Sequence, residues 1–270
     1  MTKQQFKKIF KVKKAIIAMI HVPALPGTPA HKLNTAQIIK QVVKEAKIYA
    51  KAGVDALMIE NMHDTPYLKN QVGPEIVAMM AILAQEIKNA VQLPLGIQVL
   101  AAANQAALAV AKAASLDFIR AEGFVFGHVA DEGYIDANAG KLLRYRKLIG
   151  AEHIAIFTDL KKKHSAHAVT ADVDIVETAK AAEFFRSDGL IITGSATGHA
   201  ADLAELKAVA QNTKLPVLVG SGVNLQNVAA YLAICDGLII GSYFKEKSYW
   251  ENPINPTKVS TFMKKVRKLR

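Results

Sequence analysis

The chain has 270 residues, of which 51% are hydrophobic, 7% aromatic and 21% charged, a globular composition that excludes disorder, collagen-like repeats and, with Cys235 as the sole cysteine, a disulfide scaffold. The formal charge is +11, but residues 1–14 and 256–270 each hold six Lys/Arg and no acid, which leaves −1 for residues 15–255. That core has no broad basic face, so nucleic acid is not an expected partner, and no apolar run reaches the ~18–20 residues of a membrane span.

The basic segment 1–14 carries Phe6, Ile9 and Phe10 at helical spacing. Such a stripe suits either a plug against the bottom of a domain or a weak interfacial helix. No transit peptide or signal-peptide h-region is recognisable, and a single thiol fits a reducing compartment, so a cytoplasmic protein is expected.

From residue 15 onward, short apolar runs recur at 15–22, 54–60, 94–100, 117–121, 153–159, 188–193, 216–220 and 236–241. Their near-continuous apolarity is what strands buried on both faces require, which implies a parallel sheet covered by helices. Helix signals fill the gaps. Asn34–Thr35 precedes a stripe from Ile39 to Tyr49 that stops at Gly53, and Gly73–Pro74 opens a second stripe from Ile76 to Ile87. Segments 104–115, 138–149, 172–186, 202–212, 224–234 and 256–270 supply six more. Eight strands alternating with eight helices predict an α/β (β/α)₈ barrel as a single domain over 15–270. The alternative is an open doubly wound sheet, but no G-x-G-x-x-G follows the first strand.

The longest irregular stretches, 22–34, 61–73, 122–137 and 160–171, all follow strand C-termini, the end at which barrel chemistry collects. Strand seven ends in Gly220-Ser221-Gly222-Val223 and strand eight in Gly241-Ser242. Glycine turns let backbone N–H groups approach an anion closely, and the loops after strands seven and eight hold phosphate in many barrels. Gly194 with Thr197-Gly198 suits a neighbouring wall, and Lys245 an added cation.

Acid–base candidates are Glu60, Glu122 and Asp159 at the ends of strands two, four and five, with Arg120 among them. Carboxylates gathered over a barrel mouth repel one another and are partly buried, which raises a pKa towards neutrality. In the run Lys161-Lys162-Lys163-His164, the first two lysines read as solvated. Lys163 and His164 read either as solvated too or as folded back over the mouth, where a desolvated lysine binds an anion or forms a Schiff base. His21 faces the mouth or is a structural histidine. No metal-ligand set is assigned: His63-Asp64 and His164/His167 with Asp159 lack a diagnostic spacing. A Mg²⁺ held by one or two carboxylates leaves no motif, so magnesium remains open while no other cofactor is expected. G-x-S-x-G is absent, which removes support for a nucleophile elbow.

These residues resemble the BtpA/SgcQ family from about Ile16 to Met263. The motifs are Met19-Ile20-His21-Val22-Pro23-Ala24-Leu25-Pro26-Gly27, Glu60-Asn61-Met62-His63-Asp64-Thr65-Pro66, Phe118-Ile119-Arg120, Asp159 through Lys163-His164, Thr193-Gly194-Ser195-Ala196-Thr197-Gly198 and Gly220-Ser221-Gly222-Val223. The resemblance implies a phosphate-binding type of barrel. It also implies two settings for relatives, photosystem I biogenesis in cyanobacteria and sugar utilisation in SgcQ-like members. Segment 121–128 differs from the Val-Asn type expected of the cyanobacterial proteins.

The expectation is therefore an enzyme acting on a phosphorylated small molecule, a sugar phosphate or a phosphoribosyl or nucleoside-type compound. Its class would be isomerase, lyase or glycosyl/phosphoribosyl-type enzyme. Glu60, Glu122 and Asp159 would share the acid–base work, Arg120 or Lys163 would stabilise negative charge, and His164 would assist. Gly194, Gly220, Ser221, Gly222, Gly241 and Ser242 would hold the phosphate. The alternative is a non-enzymatic assembly factor whose basic ends contact an anionic membrane surface. Barrels with exposed helices commonly form homo-oligomers, and the sequence is compatible with one.

Overall fold

Eight apolar segments become the staves of one closed parallel barrel. The computed structural model describes residues 1–194 and 199–270, so Thr197 and Gly198 of the expected phosphate wall lie outside the described residues. In chain order the elements are α1 (Lys3–Phe10), β1 (Ala15–His21), α2 (Thr35–Ala52), β2 (Ala56–Glu60), α3 (Pro74–Ala90), β3 (Leu95–Gln98), α4 (Asn104–Ala113) and β4 (Phe118–Ala121). There follow β5 (His128–Ala130), β6 (Gly133–Ile135), α5 (Ala139–Leu148), β7 (Ala155–Leu160), β8 (Ser165–Ala166), α6 (Ile175–Phe184) and β9 (Gly189–Thr193). The last are α7 (Leu203–Asn212), β10 (Val217–Gly220), α8 (Val228–Ile234), β11 (Gly237–Ile240) and α9 (Pro256–Leu269). The barrel runs β1-β11-β10-β9-β7-β4-β3-β2 and closes through parallel pairing of β1 with β2.

The helices start and stop for local reasons. Asn34 and Gln37 exchange the two hydrogen bonds of a capping box, and Gly53, at φ +81°, ends α2 in the left-handed conformation. Asp174 rather than Asp172 caps α6, since 168–170 is taken by a short 3₁₀ turn. Asn224 does not open α8. Its Oδ1 accepts from the amides of Gln226 and Asn227 in a separate turn, and the helix begins at Val228.

Side-chain alternation along each strand sorts the residues into two cores. Outward residues such as Ile16, Ile20, Leu57, Ile97, Ile119 and Ile156 pack beneath the helices. Inward residues Ile17, Met19, Met58, Phe118, Phe157, Ile191, Leu218 and Ile239 fill the lumen. The Phe118 and Phe157 rings lie 5.5 Å apart there. A Cβ at Gly96 would stand 2.2 Å from Phe118, and one at Gly189 2.5 Å from Phe157, so these glycines make room for the rings.

The N-terminal segment closes the lumen from below. Phe6 and Phe10 on α1 are buried against it, with Phe10 5.4 Å from the Phe118 ring. Each fully buried phenylalanine contributes roughly 1.5–3 kcal/mol by removing its ring from water. The charge of the ends has a partner here. Asp55, Asp117, Asp188 and Asp236 stand just before β2, β4, β9 and β11, and each accepts the first or second amide of an adjoining strand. Lys3 pairs with Asp236 at 3.1 Å, Arg270 pairs with Asp55, and Arg146 pairs with Asp188 at 3.0 Å. Part of the terminal positive charge therefore neutralises carboxylates at the barrel floor.

One feature lies outside the eightfold repeat. The β5–β6 hairpin in the loop after β4 pairs antiparallel with β8 in the loop after β7, giving a three-stranded sheet that ties the two loops together.

Candidate functional site

The same alternation that puts Met19, Met58, Phe118 and Phe157 in the lumen puts His21, Glu60, Arg120 and Asp159 two residues further on. These four strands thus turn from apolar to polar at the mouth, where the four polar side chains are themselves buried. His21 and Glu60 lie side by side in the β1–β2 register. A cavity of about 270 Å³ opens above them, lined by His21, Glu60, Arg120, Lys163 and the turns Ser221–Gln226 and Gly241–Tyr243 among others. That volume suits a small metabolite rather than a dinucleotide.

The two glycine-containing turns at the ends of β10 and β11 face this one cavity. Ser221 and Gly222 are both left-handed, at φ +90° and +66°. Packing also requires the small residues. A Cβ at Gly222 or at Gly194 would stand 2.2 Å from the His199 carbonyl oxygen, and one at Gly241 2.9 Å from His21 Nε2. Gly194 and Gly220 do not line the cavity; Gly220 instead gives space to Ile191 and the Arg120 guanidinium.

Arg120 and Asp159 form a buried forked pair, Nε 3.1 Å from both carboxylate oxygens. Burial pulls the guanidinium pKa down, but Asp159 and Glu60 outweigh it and leave it raised. Burial raises Asp159 in turn, against the pull of Arg120. Glu60 is raised by burial, partly offset by Arg120 and Lys163. Lys163 is lowered by burial and by Arg120. A carboxyl that holds its proton longer and an amine that loses its proton earlier therefore share the cavity, a pairing suited to proton transfer.

His21, for which the sequence allows a place at the mouth or a structural role, lines the cavity. Its Nδ1 is 3.1 Å from the Trp250 carbonyl, an acceptor only, so Nδ1 carries the proton and Nε2 is the basic nitrogen on the Gly241 side. Burial and Lys245 push its pKa down to about 3, so the ring is neutral at physiological pH. The segment that follows β11 thus holds His21 and also covers His63, whose ring lies 4.8 Å from Trp250.

Other candidates stand elsewhere. Glu122 does not line the cavity: it accepts from Gln98 at 3.1 Å and the Ala102 amide at 3.0 Å, and pairs with Lys162 at 3.5 Å. Lys162, expected in solvent, is therefore buried, because the β5–β6–β8 sheet folds the loop inward. His164 is exposed, at φ +54°. Lys245 does not serve the mouth as a cation; its ammonium is buried against Glu45 at 3.2 Å. Asn224, Gln226, Tyr243 and Ser248 line the cavity and were not singled out as ligand contacts, since loop polar residues carry no local signal of direction. Among the described residues, no three His, Cys, Asp or Glu side chains are grouped to hold a metal ion.

The sequence model of the BtpA family matches residues 12–268. A Caenorhabditis elegans protein named as uncharacterized and mitochondrial is 52% identical, with 94% of each chain covered. The photosystem I biogenesis protein BtpA of Synechocystis is 31% identical over 94% of this chain and 88% of its own. Among solved structures, (S)-3-O-geranylgeranylglyceryl phosphate synthase from Thermoplasma acidophilum, in complex with sn-glycerol-1-phosphate, aligns with a TM-score of 0.63 over 99% of both chains at 14% identity. Phosphoribosyl anthranilate isomerase from Thermus thermophilus aligns at 0.58 over 95% of this chain and 100% of its own, at 13% identity. At such identities the likeness is one of fold. No helix among the described residues is long and apolar enough to cross a membrane.

Proposed function

The chain belongs to the BtpA family, and from its site we propose that it is an enzyme acting on a phosphorylated small molecule, a sugar phosphate or phosphoribosyl compound, by acid–base chemistry at the barrel mouth. The observation that carries this reading is that the turns Ser221–Gly222 and Gly241–Ser242 open onto the same cavity as Glu60, Lys163 and His21. Backbone amides and serine hydroxyls of the two turns grip the phosphate. Glu60 and His21 move protons, and Arg120, held in place by Asp159, stabilises negative charge that develops on the ligand. The likeness to two barrels whose names carry phosphorylated compounds supports the ligand class. Magnesium, where used, would be held by the Glu60 carboxylate and would supply positive charge against a phosphorylated ligand.

The test is a melting-temperature screen of phosphorylated metabolites, with and without Mg²⁺, on the native protein and on Ser221→Asp. A ligand that binds only the folded state raises the melting temperature. The expected result is a shift with phosphorylated ligands, absent with their dephosphorylated forms and abolished in Ser221→Asp. Equal shifts in both proteins would refute the assignment of the turns.

A second reading, an assembly factor that contacts an anionic surface, is favoured by the clustering of α1 and the end of α9 at the barrel floor and by the name of the Synechocystis relative. Against it stands the pairing of Lys3 and Arg270 with floor aspartates, which leaves fewer cations for a surface. Loss of liposome cosedimentation on removing residues 1–14 would favour it.

A further inference from the structure

We propose that Lys163 forms an imine with a carbonyl carbon of the ligand, which narrows the substrate class to phosphorylated aldehydes and ketones. The inference rests on the phosphate reading above and deepens it. Three observations converge. Lys163 lies on the wall of the 270 Å³ cavity that also holds the two turns, so an amine and a phosphate grip share a space one small molecule can span. Among the described residues that line the cavity the lysine is Lys163, whereas Lys162 pairs with Glu122 and Lys245 with Glu45 away from it. Glu60 faces the same cavity from β2, on a different part of the ring.

The electrostatics agree with the geometry. Burial and the neighbouring Arg120 disfavour the ammonium form of Lys163, and the neutral amine is the nucleophile. A lysine serving purely as a phosphate clamp needs its charge, which the guanidinium beside it opposes. Burial raises the Glu60 carboxyl pKa, which favours its protonated form, and the side chain that could donate that proton faces the same cavity.

The step balances without a further reagent. The Nζ lone pair forms a C–N bond to the carbonyl carbon as the C=O π pair moves to oxygen, giving a carbinolamine after proton transfer from nitrogen to oxygen. Glu60 then protonates the hydroxyl, which leaves as water while the nitrogen lone pair closes the C=N bond. The iminium draws electrons from the adjacent carbon, and the Glu60 carboxylate accepts the proton lost there. Glu60 returns that proton to carbon, which regenerates the iminium; water then adds to the C=N carbon and the C–N bond breaks, freeing the lysine.

The full chain should be incubated with dihydroxyacetone phosphate, glyceraldehyde 3-phosphate and ribose 5-phosphate, reduced with sodium borohydride and mapped by peptide mass. Glycerol 3-phosphate, which has the phosphate but no carbonyl, is the control, and melting temperature is recorded for every ligand. The expected result is a reduced adduct on Lys163 with at least one carbonyl ligand, suppressed by inorganic phosphate, while exposed Lys147 and Lys180 show no such suppression. Lys163→Arg should lose that adduct and keep its thermal response to glycerol 3-phosphate. Stabilisation by glycerol 3-phosphate and the carbonyl ligands with no adduct on Lys163 would overturn the imine and leave the phosphate reading standing. Neither stabilisation nor adduct would overturn both. Labelling confined to exposed lysines would also overturn it.

Discussion

Arg120 on β4 and Asp159 on β7 are locked together beneath the mouth, with Nε 3.1 Å from both carboxylate oxygens and Nη2 3.0 Å from Oδ1. The pair is buried, so its two members are not equivalent in what their loss would cost. Asp159→Asn removes the carboxylate paired with a buried guanidinium, for which a loss of about 3–5 kcal/mol is expected. Arg120→Met leaves a carboxyl whose raised pKa lets it take up a proton, so its cost should be smaller. Urea unfolding of both single variants and the double should show the double less destabilised than the sum. Additive losses would mean that the pair is not coupled.

The barrel floor offers a stability test independent of the site. Phe10 is 2% exposed and packs on Phe6, Phe118 and Phe157. Phe10→Ala should cost about 3–5 kcal/mol, since the rings of β4 and β7 cannot collapse into the space left. A loss below 1 kcal/mol would show α1 to be a loosely held arm.

Acid should act through His21. Its pKa is 6.5 in the unfolded chain and about 3 in the fold, so between these values the unfolded state binds a proton that the folded state does not. Stability from this group is complete above pH 6.5 and falls as the pH drops towards 3, by up to roughly 1.4 kcal/mol per pH unit. His21→Asn keeps a donor for the Trp250 carbonyl and cannot titrate. The stability of the native protein relative to this variant should therefore decline from pH 6.5 downward. A difference that stays constant with pH would contradict the buried neutral ring.

Gly222 tests the turn itself. At φ +66°, with a Cβ reaching within 2.2 Å of the His199 carbonyl oxygen, Gly222→Ala should displace the loop after β9 or the turn after β10. Phosphate affinity should fall at least tenfold with the rest of the barrel intact by circular dichroism. Unchanged affinity would show that the turn geometry does not matter to the anion.

The barrel was legible because parallel strands covered on both sides must be apolar throughout, and the eight runs with their capped helices repeat that requirement. Asn34, Gly53 and Pro74 marked helix ends correctly because caps are local chemistry. The start of α8 was misplaced because Asn224 caps a turn as readily as a helix. The β5–β6–β8 sheet was not legible: strands of two or three residues are too short to show a period, and their pairing joins positions as distant in sequence as Val129 and Ala166. That sheet decides which lysine of 161–163 is buried with Glu122 and which borders the cavity, so the roles within the charge run were beyond sequence reasoning. His21 was ambiguous for the same reason, since Trp250, which fixes its tautomer, comes from the far end of the chain.

The most direct measurement is a crystal structure of the native protein soaked with inorganic phosphate and, separately, with dihydroxyacetone phosphate. The account expects tetrahedral density between the Ser221–Gly222 and Gly241–Ser242 turns, within hydrogen-bond distance of amides from both, and the remainder of the triose directed at Lys163. An anion bound only at the lysines of the barrel floor, with the mouth filled by water, would contradict it.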